Sequence, residues 1–152
     1  MAETGSNRAQ QVREQAWTDG FAQQSADTFG SAFADDVVLE ASTLRVPVRG
    51  KKDVQVTMQA ASAYYASLVF THAAVNGLRT YLEWEAEAPT GTKFSGITIL
   101  TRNADRLIGH IAIHHRPLDA VLEFSAEMNR RTQGKIAPGH FYCGSQPSGN
   151  AA

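Results

Sequence analysis

Between Leu68 and Arg116 the chain is written in β-type segments whose connections are too short to hold a helix. LVFTHAAV, LRTYLEWEAEA, FSGITILTR and LIGHIAIHHR are separated only by Asn76-Gly77, PTGTK and NAD. Parallel neighbours need a crossover of a dozen or more residues, so these segments must follow one another as an antiparallel meander. Asn-Gly is a strong hairpin signal. In LRTYLEWEAEA, Leu82, Trp84 and Ala86 alternate with Tyr81, Glu83, Glu85 and Glu87. One face of that strand is therefore wet and the other buried.

The first half reads differently. NRAQQVREQAWTDGFAQQ places Val12, Ala16, Trp17 and Phe21 near helical spacing, and ADTFGSAF follows as a second, short helix. DDVVLEAST and LRVPVRG turn to strand composition, with Pro47 restricting the second to an edge or a bulge. Gly50 leads into KKDVQVTMQAASAYYASL, where Val54, Met58, Ala61 and Tyr65 mark one helical face. Pro117 ends the sheet and suits the first turn of a last helix, whose apolar face is Leu118, Val121, Leu122, Ser125 and Met128. The order α-α-β-β-α-β-β-β-β-α predicts an α+β class, with helices layered on a mostly antiparallel sheet. One domain is expected over 1–135, followed by a small, polar, partly mobile tail over 136–152.

Composition narrows the function. Net charge is −1 and the basic residues are scattered, so no basic stripe tracks phosphates and nucleic acid is not an expected partner. The single Cys143 excludes an internal disulfide and a multi-cysteine zinc site. MAETGSNRAQQ lacks the apolar stretch of a secretory signal, and no run approaches the ~20 apolar residues of a membrane span. A soluble, cytoplasmic protein is expected, without a membrane partner.

HIAIHHRP holds three of the five histidines within six positions. Strand alternation puts Ile108, His110, Ala112 and His114 on one face and Leu107, Gly109, Ile111, Ile113 and His115 on the other. His110 and His114 then lie roughly 13 Å apart along the strand, too far to share a zinc ion bound at about 2 Å. No metal is expected there.

Several motifs occur together in a familiar order: FADDVVLE, VRGKKDV, LEWEA, GITIL, NADRLIGHIAIHHRPLDAV and Met128. Over roughly residues 8–132 the chain resembles the nuclear transport factor 2-like superfamily, in its SnoaL-like branch of small bacterial proteins. That resemblance implies a cone: a strongly curved sheet wraps the helices and leaves a pocket open at one end, commonly for a small apolar molecule. It also implies that the His110 and His114 set faces the pocket. The opposite set, with Thr98 and Leu100, then forms an apolar outer face and a homodimer interface.

Comparison within the superfamily assigns further positions. The catalytic base of ketosteroid isomerase falls on Ala41, with Glu40 in the preceding outward place. Its tyrosine falls on Trp17 and its second acid near Ile97, so that mechanism is not expected. The Asp-Arg-Asp cluster of limonene-epoxide hydrolases is not found on the expected strands. Scytalone dehydratase offers a partial match at Thr71-His72, while the position of its second histidine, around Gly91 to Phe94, holds none.

The candidate acid–base groups are therefore His72, His110 and His114, since imidazole is suited to proton transfer near neutral pH. Each is equally open to a structural role as a buried, hydrogen-bonded imidazole. Trp17, Phe21, Phe70 and Trp84 are candidate pocket wall or core, and one of Tyr64 and Tyr65 is expected to point inward. Three functions stay open. One is a cofactor-free isomerase, cyclase or dehydratase acting on an apolar, aromatic or polyketide-like molecule. The second is a non-catalytic binder of such a molecule. The third is a dimerisation module with a filled cone.

Overall fold

The computed structural model describes residues 17–143. Val12 and Ala16 of the expected first helix, and the polar stretch 144–152, lie outside the described residues. The chain runs through α1 (residues 17–23), α2 (Ala26–Gly30), β1 (Phe33–Ala41), β2 (Val48–Arg49), α3 (Lys51–Tyr64), β3 (Ser67–Asn76), β4 (Arg79–Glu87), β5 (Lys93–Arg102), β6 (Ile108–Arg116) and α4 (Leu118–Thr132). This is the α+β order read from the sequence.

The strands form one six-stranded sheet in the order β2-β1-β6-β5-β4-β3. The meander from β3 to β6 is antiparallel throughout, and the one parallel pair is β1 with β6. The sheet does not close. The edge strand β2 pairs over only two residues, Arg49 with Val38 and Val48 with Leu39, as Pro47 in front of it requires. Upstream of it, Leu44 makes a single bridge to Phe141.

Curvature comes from register shifts. They fall between Phe33 and Val38 on β1, between Phe70 and His72 on β3, and on β6 between Ile108 and His110, opposite Thr101 and Arg102. An extra residue bends its strand and increases the local twist, so the sheet folds around a core that includes Leu82, Trp84, Phe94, Leu100, Ile111 and Ile113. The shift at Gly109 also reverses the side-chain alternation expected for β6. Ile108, Ile111 and Ile113 are all buried, while His114 is exposed.

The helices cover the inner face. Ser25 caps α2 by accepting from the Thr28 N–H at 3.2 Å. In α3, Val54, Met58 and Ala61 point into the core as their spacing predicts. Helix α4 is rotated from its expected face: Leu118 and Leu122 are 72% and 46% exposed, while Ala120, Val121, Phe124, Ser125 and Met128 are buried. The reason is aromatic. Phe124 stacks on Tyr64 with ring centroids 4.8 Å apart, and a buried phenyl ring outweighs the leucines in apolar area.

One glycine is required by close packing. Gly96 sits opposite both Trp84 and His115 in the sheet, and a Cβ there would run into the His114 carbonyl oxygen and come 2.5 Å from Trp84 Cζ2. The indole lies across this gap and donates its N–H to Thr98 Oγ1 at 3.1 Å. Gly96→Ala should lower the unfolding free energy by about 2 kcal/mol, measured as a shifted urea midpoint with unchanged slope.

Candidate functional site

The polar groups inside the cone lie where β1 and β6 finish. A cavity of about 20 Å³ is lined there by Ala41 of β1, Met58 and Ala61 of α3, Tyr65 just after it, Ile113 and His115 of β6, Phe124 and Met128 of α4, and Phe141. A second cavity of about 10 Å³ is lined by Phe21, Tyr65, Leu68, Phe70, Trp84, Thr98 and Ile113. Each has room for about one water at most. Tyr65 and Ile113 line both.

His115 is the imidazole of this interior. Its ring meets Trp84 at 5.3 Å and Phe124 at 5.8 Å, both edge-to-face. Burial lowers its pKa to about 4, opposed by a backbone hydrogen-bonding contribution from Ile113, with His114 adding to the fall. The imidazole is therefore neutral near pH 7. The Ile113 approach falls short of hydrogen-bond geometry at Nδ1, which is buried and without a well-formed partner among the described residues. Tyr65 packs against Phe94 and Phe124, each at 5.4 Å. Burial, reinforced by Tyr64, raises its phenol pKa well above the ordinary value, so the hydroxyl keeps its proton.

The three expected acid–base histidines are elsewhere. His110 reaches outward, its Nε2 2.9 Å from Glu40 Oε2. His72 lies on the same outer face with Nδ1 3.1 Å from Glu83 Oε2, and His114 is exposed beside Ile97. The expected inward placement of all three is thus corrected. On β6 the cause is the shift at Gly109, because one extra residue sends every following side chain to the opposite face. On β3 the pairing shift between Phe70 and His72 sets His72 opposite the outward Glu83. The same correction removes the apolar outer face: Ile111, Ile113, Thr98 and Leu100 are buried inside.

The expected wall residues divide. Tyr65, Trp84, Phe70 and Phe21 line the interior. Trp17 is fully buried among Phe21, Phe29 and Phe33 and lines neither cavity. Tyr64 lies in the α3–α4 contact, with the Arg131 guanidinium over its ring. Sequence reasoning missed His115 and Phe141. The alternation of Ile111 and Ile113 with His110, Ala112 and His114 was the available signal for His115, since two isoleucines seek the core more strongly than the polar set.

Two open depressions of about 550 and 350 Å³ lie over β3 to β6. Glu85, Ser95 and Arg116 line both, and the smaller one also takes in Trp84, Ile97, His114 and His115. Among the described residues no cluster of three or more His, Cys, Asp or Glu is placed to hold a metal. No described helix is long and apolar enough to cross a membrane.

Residues 15–110 match the SnoaL-like domain. The chain belongs to the SnoaL-like family. No protein of curated function matches its sequence. Solved structures share the fold of this SnoaL-like chain at low identity. A steroid delta-isomerase from Pseudomonas aeruginosa superposes with a TM-score of 0.74 at 17% identity, over 80% of this chain and 90% of that one. A bacterial protein with a cystatin-like fold from Silicibacter pomeroyi gives 0.72 at 18% identity, over 76% and 81%. A protein with a ketosteroid isomerase-like fold from Catenulispora acidiphila, solved in complex with trimethylamine, gives 0.60 at 17% identity, over 75% and 92%. These likenesses establish the architecture.

The SnoaL-like interior makes a pH prediction. Above pH 6.5, His115 is neutral in both folded and unfolded chains and contributes no pH dependence. Between 6.5 and about 4 the unfolded chain takes up a proton that the folded one refuses, so stability falls as pH falls. The expected loss at pH 4.5 is about 2–3 kcal/mol. His115→Leu should flatten this window and be no less stable at pH 7, as read from urea midpoints at both pH values. The stabilisation from Glu127, held near 2 by its hydrogen bonds to Arg130 and Arg131, is lost as pH falls from its unfolded value of 4.5 towards 2; it is common to both chains and cancels from the comparison.

Proposed function

We propose that this SnoaL-like protein binds one small, uncharged, largely apolar molecule inside the cone, oriented by the Tyr65 hydroxyl and the His115 imidazole. The observation that supports this reading is the buried, unpartnered Nδ1 of His115 in the cavity that Tyr65 also lines. Buried polar groups are nearly always paired, and an unpaired one costs about 1–3 kcal/mol. Stability alone gives no reason for an imidazole there. A ligand carrying one hydrogen-bonding group supplies the missing partner.

Charge and size define the ligand class. Among the described residues no Asp, Glu, Lys or Arg lines either interior cavity, so a charged ligand would be buried there without a counter-charge, which is strongly unfavourable. Aromatic side chains make up much of the wall, and they favour a ring offered face or edge. A carbonyl on that ring would accept from the Tyr65 O–H.

Binding and orientation fit the electrostatics better than base catalysis. Moving a proton onto an imidazole whose pKa is about 4 costs about 3 kcal/mol more than onto an ordinary histidine. A neutral imidazole beside a phenol is suited to hydrogen-bonding and polarising a carbonyl. An isomerase or cyclase reaction would use the same pair, with Tyr65 as donor to the carbonyl oxygen and His115 carrying the proton. The filled-module reading is favoured by a different observation, the small size of the two cavities.

Titration with acetophenone, a neutral ring with one carbonyl, followed by the His115 ring signals in NMR, separates these readings. Acetophenone should shift those signals and the anion benzoate should not. Tyr65→Phe should weaken acetophenone by about tenfold, the loss of one hydrogen bond. His72→Ala, His110→Ala and His114→Ala should leave binding unchanged. A cone that takes up no neutral ring at the solubility limit is a filled module.

A further inference from the structure

We infer that the segment from Ile136 to Cys143 is a lid on the cone, and that the ligand gains its seat by displacing Phe141. The inference rests on the cone-binding reading above and adds how that site opens. Phe141 is 3% exposed and lines the same cavity as His115 and Tyr65. That cavity holds about 20 Å³, far less than a ring requires, so an occupant must move part of the wall.

The lid is the part of the wall that moves at least cost. Its attachment to the rest of the fold is one β-bridge, Phe141 to Leu44, with Arg45 N–H donating to the His140 carbonyl at 2.8 Å. Tyr142 N–H donates to Ser125 Oγ at 2.8 Å, and His140 Nδ1 lies 3.1 Å from the Val46 carbonyl at the exposed rim. The Arg45 guanidinium sits 5.9 Å from the centre of the Tyr142 ring. Ile113, Met58 and Phe124 are embedded in a paired strand or a packed helix, whereas Tyr65, just after α3, and Leu44, the bridge partner of Phe141, are the other large wall residues outside such elements. Local openings select segments with few such ties.

The backbone supplies hinges. Gly134 and Gly139 have φ of +74° and +93° with open space around each, a region that glycine enters without steric cost. Gly134 stands two residues after the end of α4, and Gly139 two residues before Phe141. A single hydroxyl latches the closed position: Ser125 Oγ donates to the Thr43 carbonyl at 2.6 Å while accepting from Tyr142. The latched loop also reaches the site, because Ser42 Oγ accepts from the His115 backbone N–H at 3.0 Å.

A lid that is mostly closed lowers apparent affinity by the fraction of time it is open. Unlatching it should therefore strengthen binding. Acetophenone affinity is measured on the full chain, on Phe141→Ala and on Ser125→Ala, which removes the latch and keeps the phenyl ring should Phe141→Ala fail to fold. Each variant should bind about tenfold tighter than the parent. Amide hydrogen exchange on the parent chain gives the second readout. The Tyr142 and Arg45 N–H groups should exchange at least about tenfold faster than that of Leu100 in the sheet, and faster still when acetophenone saturates the protein. Equal affinities in all three chains, with Tyr142 protection unchanged by acetophenone, overturn the lid and leave the cone site standing. Exchange of Tyr142 only by global unfolding also overturns it. Absence of any acetophenone effect on the His115 ring in all three chains removes the cone site and the lid together.

Discussion

The interior of this protein depends on where β6 gains an extra residue. Strand side chains repeat every two positions, so strict alternation from Ile108 would place His110, Ala112 and His114 inside with it and turn Ile111 and Ile113 to solvent. Two buried isoleucines are worth on the order of 4 kcal/mol, far more than the imidazoles and the alanine return in their place. The shift at Gly109 lets Ile108, Ile111 and Ile113 all reach the core. Strand β1 shifts register beside it, so the bend is shared by the parallel pair and the sheet curves there. His115 becomes an inner residue because it follows two isoleucines in phase.

This explains which parts of the structure were legible in the sequence. Element order, the antiparallel meander, the one-sided burial of β4 and the edge position of β2 follow from local signals: turn residues, alternation and Pro47. The inward residues of β6 did not follow. Alternation divided the strand into two sets without saying which was inner, and the family resemblance put the histidine set inside. The hydrophobic balance within the strand pointed the other way. The faces of α4 were hidden for a related reason, since the Tyr64–Phe124 stack that orients the helix joins residues far apart in sequence. Phe141 was invisible as a wall residue because it stands among turn-forming and polar residues and makes only one bridge.

The corrected placement also changes what the outer face can do. His110 and His72 there are paired with Glu40 and Glu83, and exposed ion pairs of this kind contribute about 0–1 kcal/mol. They shape the charge of the sheet surface and have no access to the cone. The residues expected to give that face its apolar character, Ile111, Ile113, Thr98 and Leu100, are buried inside. Polarity and burial therefore follow the phase of the strand, residue by residue.

The fold alone does not fix which inward positions are polar. Ala41, the position that the resemblance matched to the base of a ketosteroid isomerase, stands at the cavity wall. Ile97 is turned outward and 39% exposed, and Trp17 is sealed in a cluster of phenylalanines. The tyrosine and histidine stand at two other places, the residue just after α3 and the penultimate residue of β6. These meet because α3 lies against the inner face where β1 and β6 finish, and α4 packs over both. A cone presents many inward positions, and which of them carry polar atoms is decided separately in each sequence. Among the described lining residues they are threonine hydroxyls, a phenol and a neutral imidazole, with no carboxylate beside them, in a space that the chain's own Phe141 helps to fill. In the proposed binding role such an interior would discriminate by hydrogen bonding and shape, because no described charged side chain lines it.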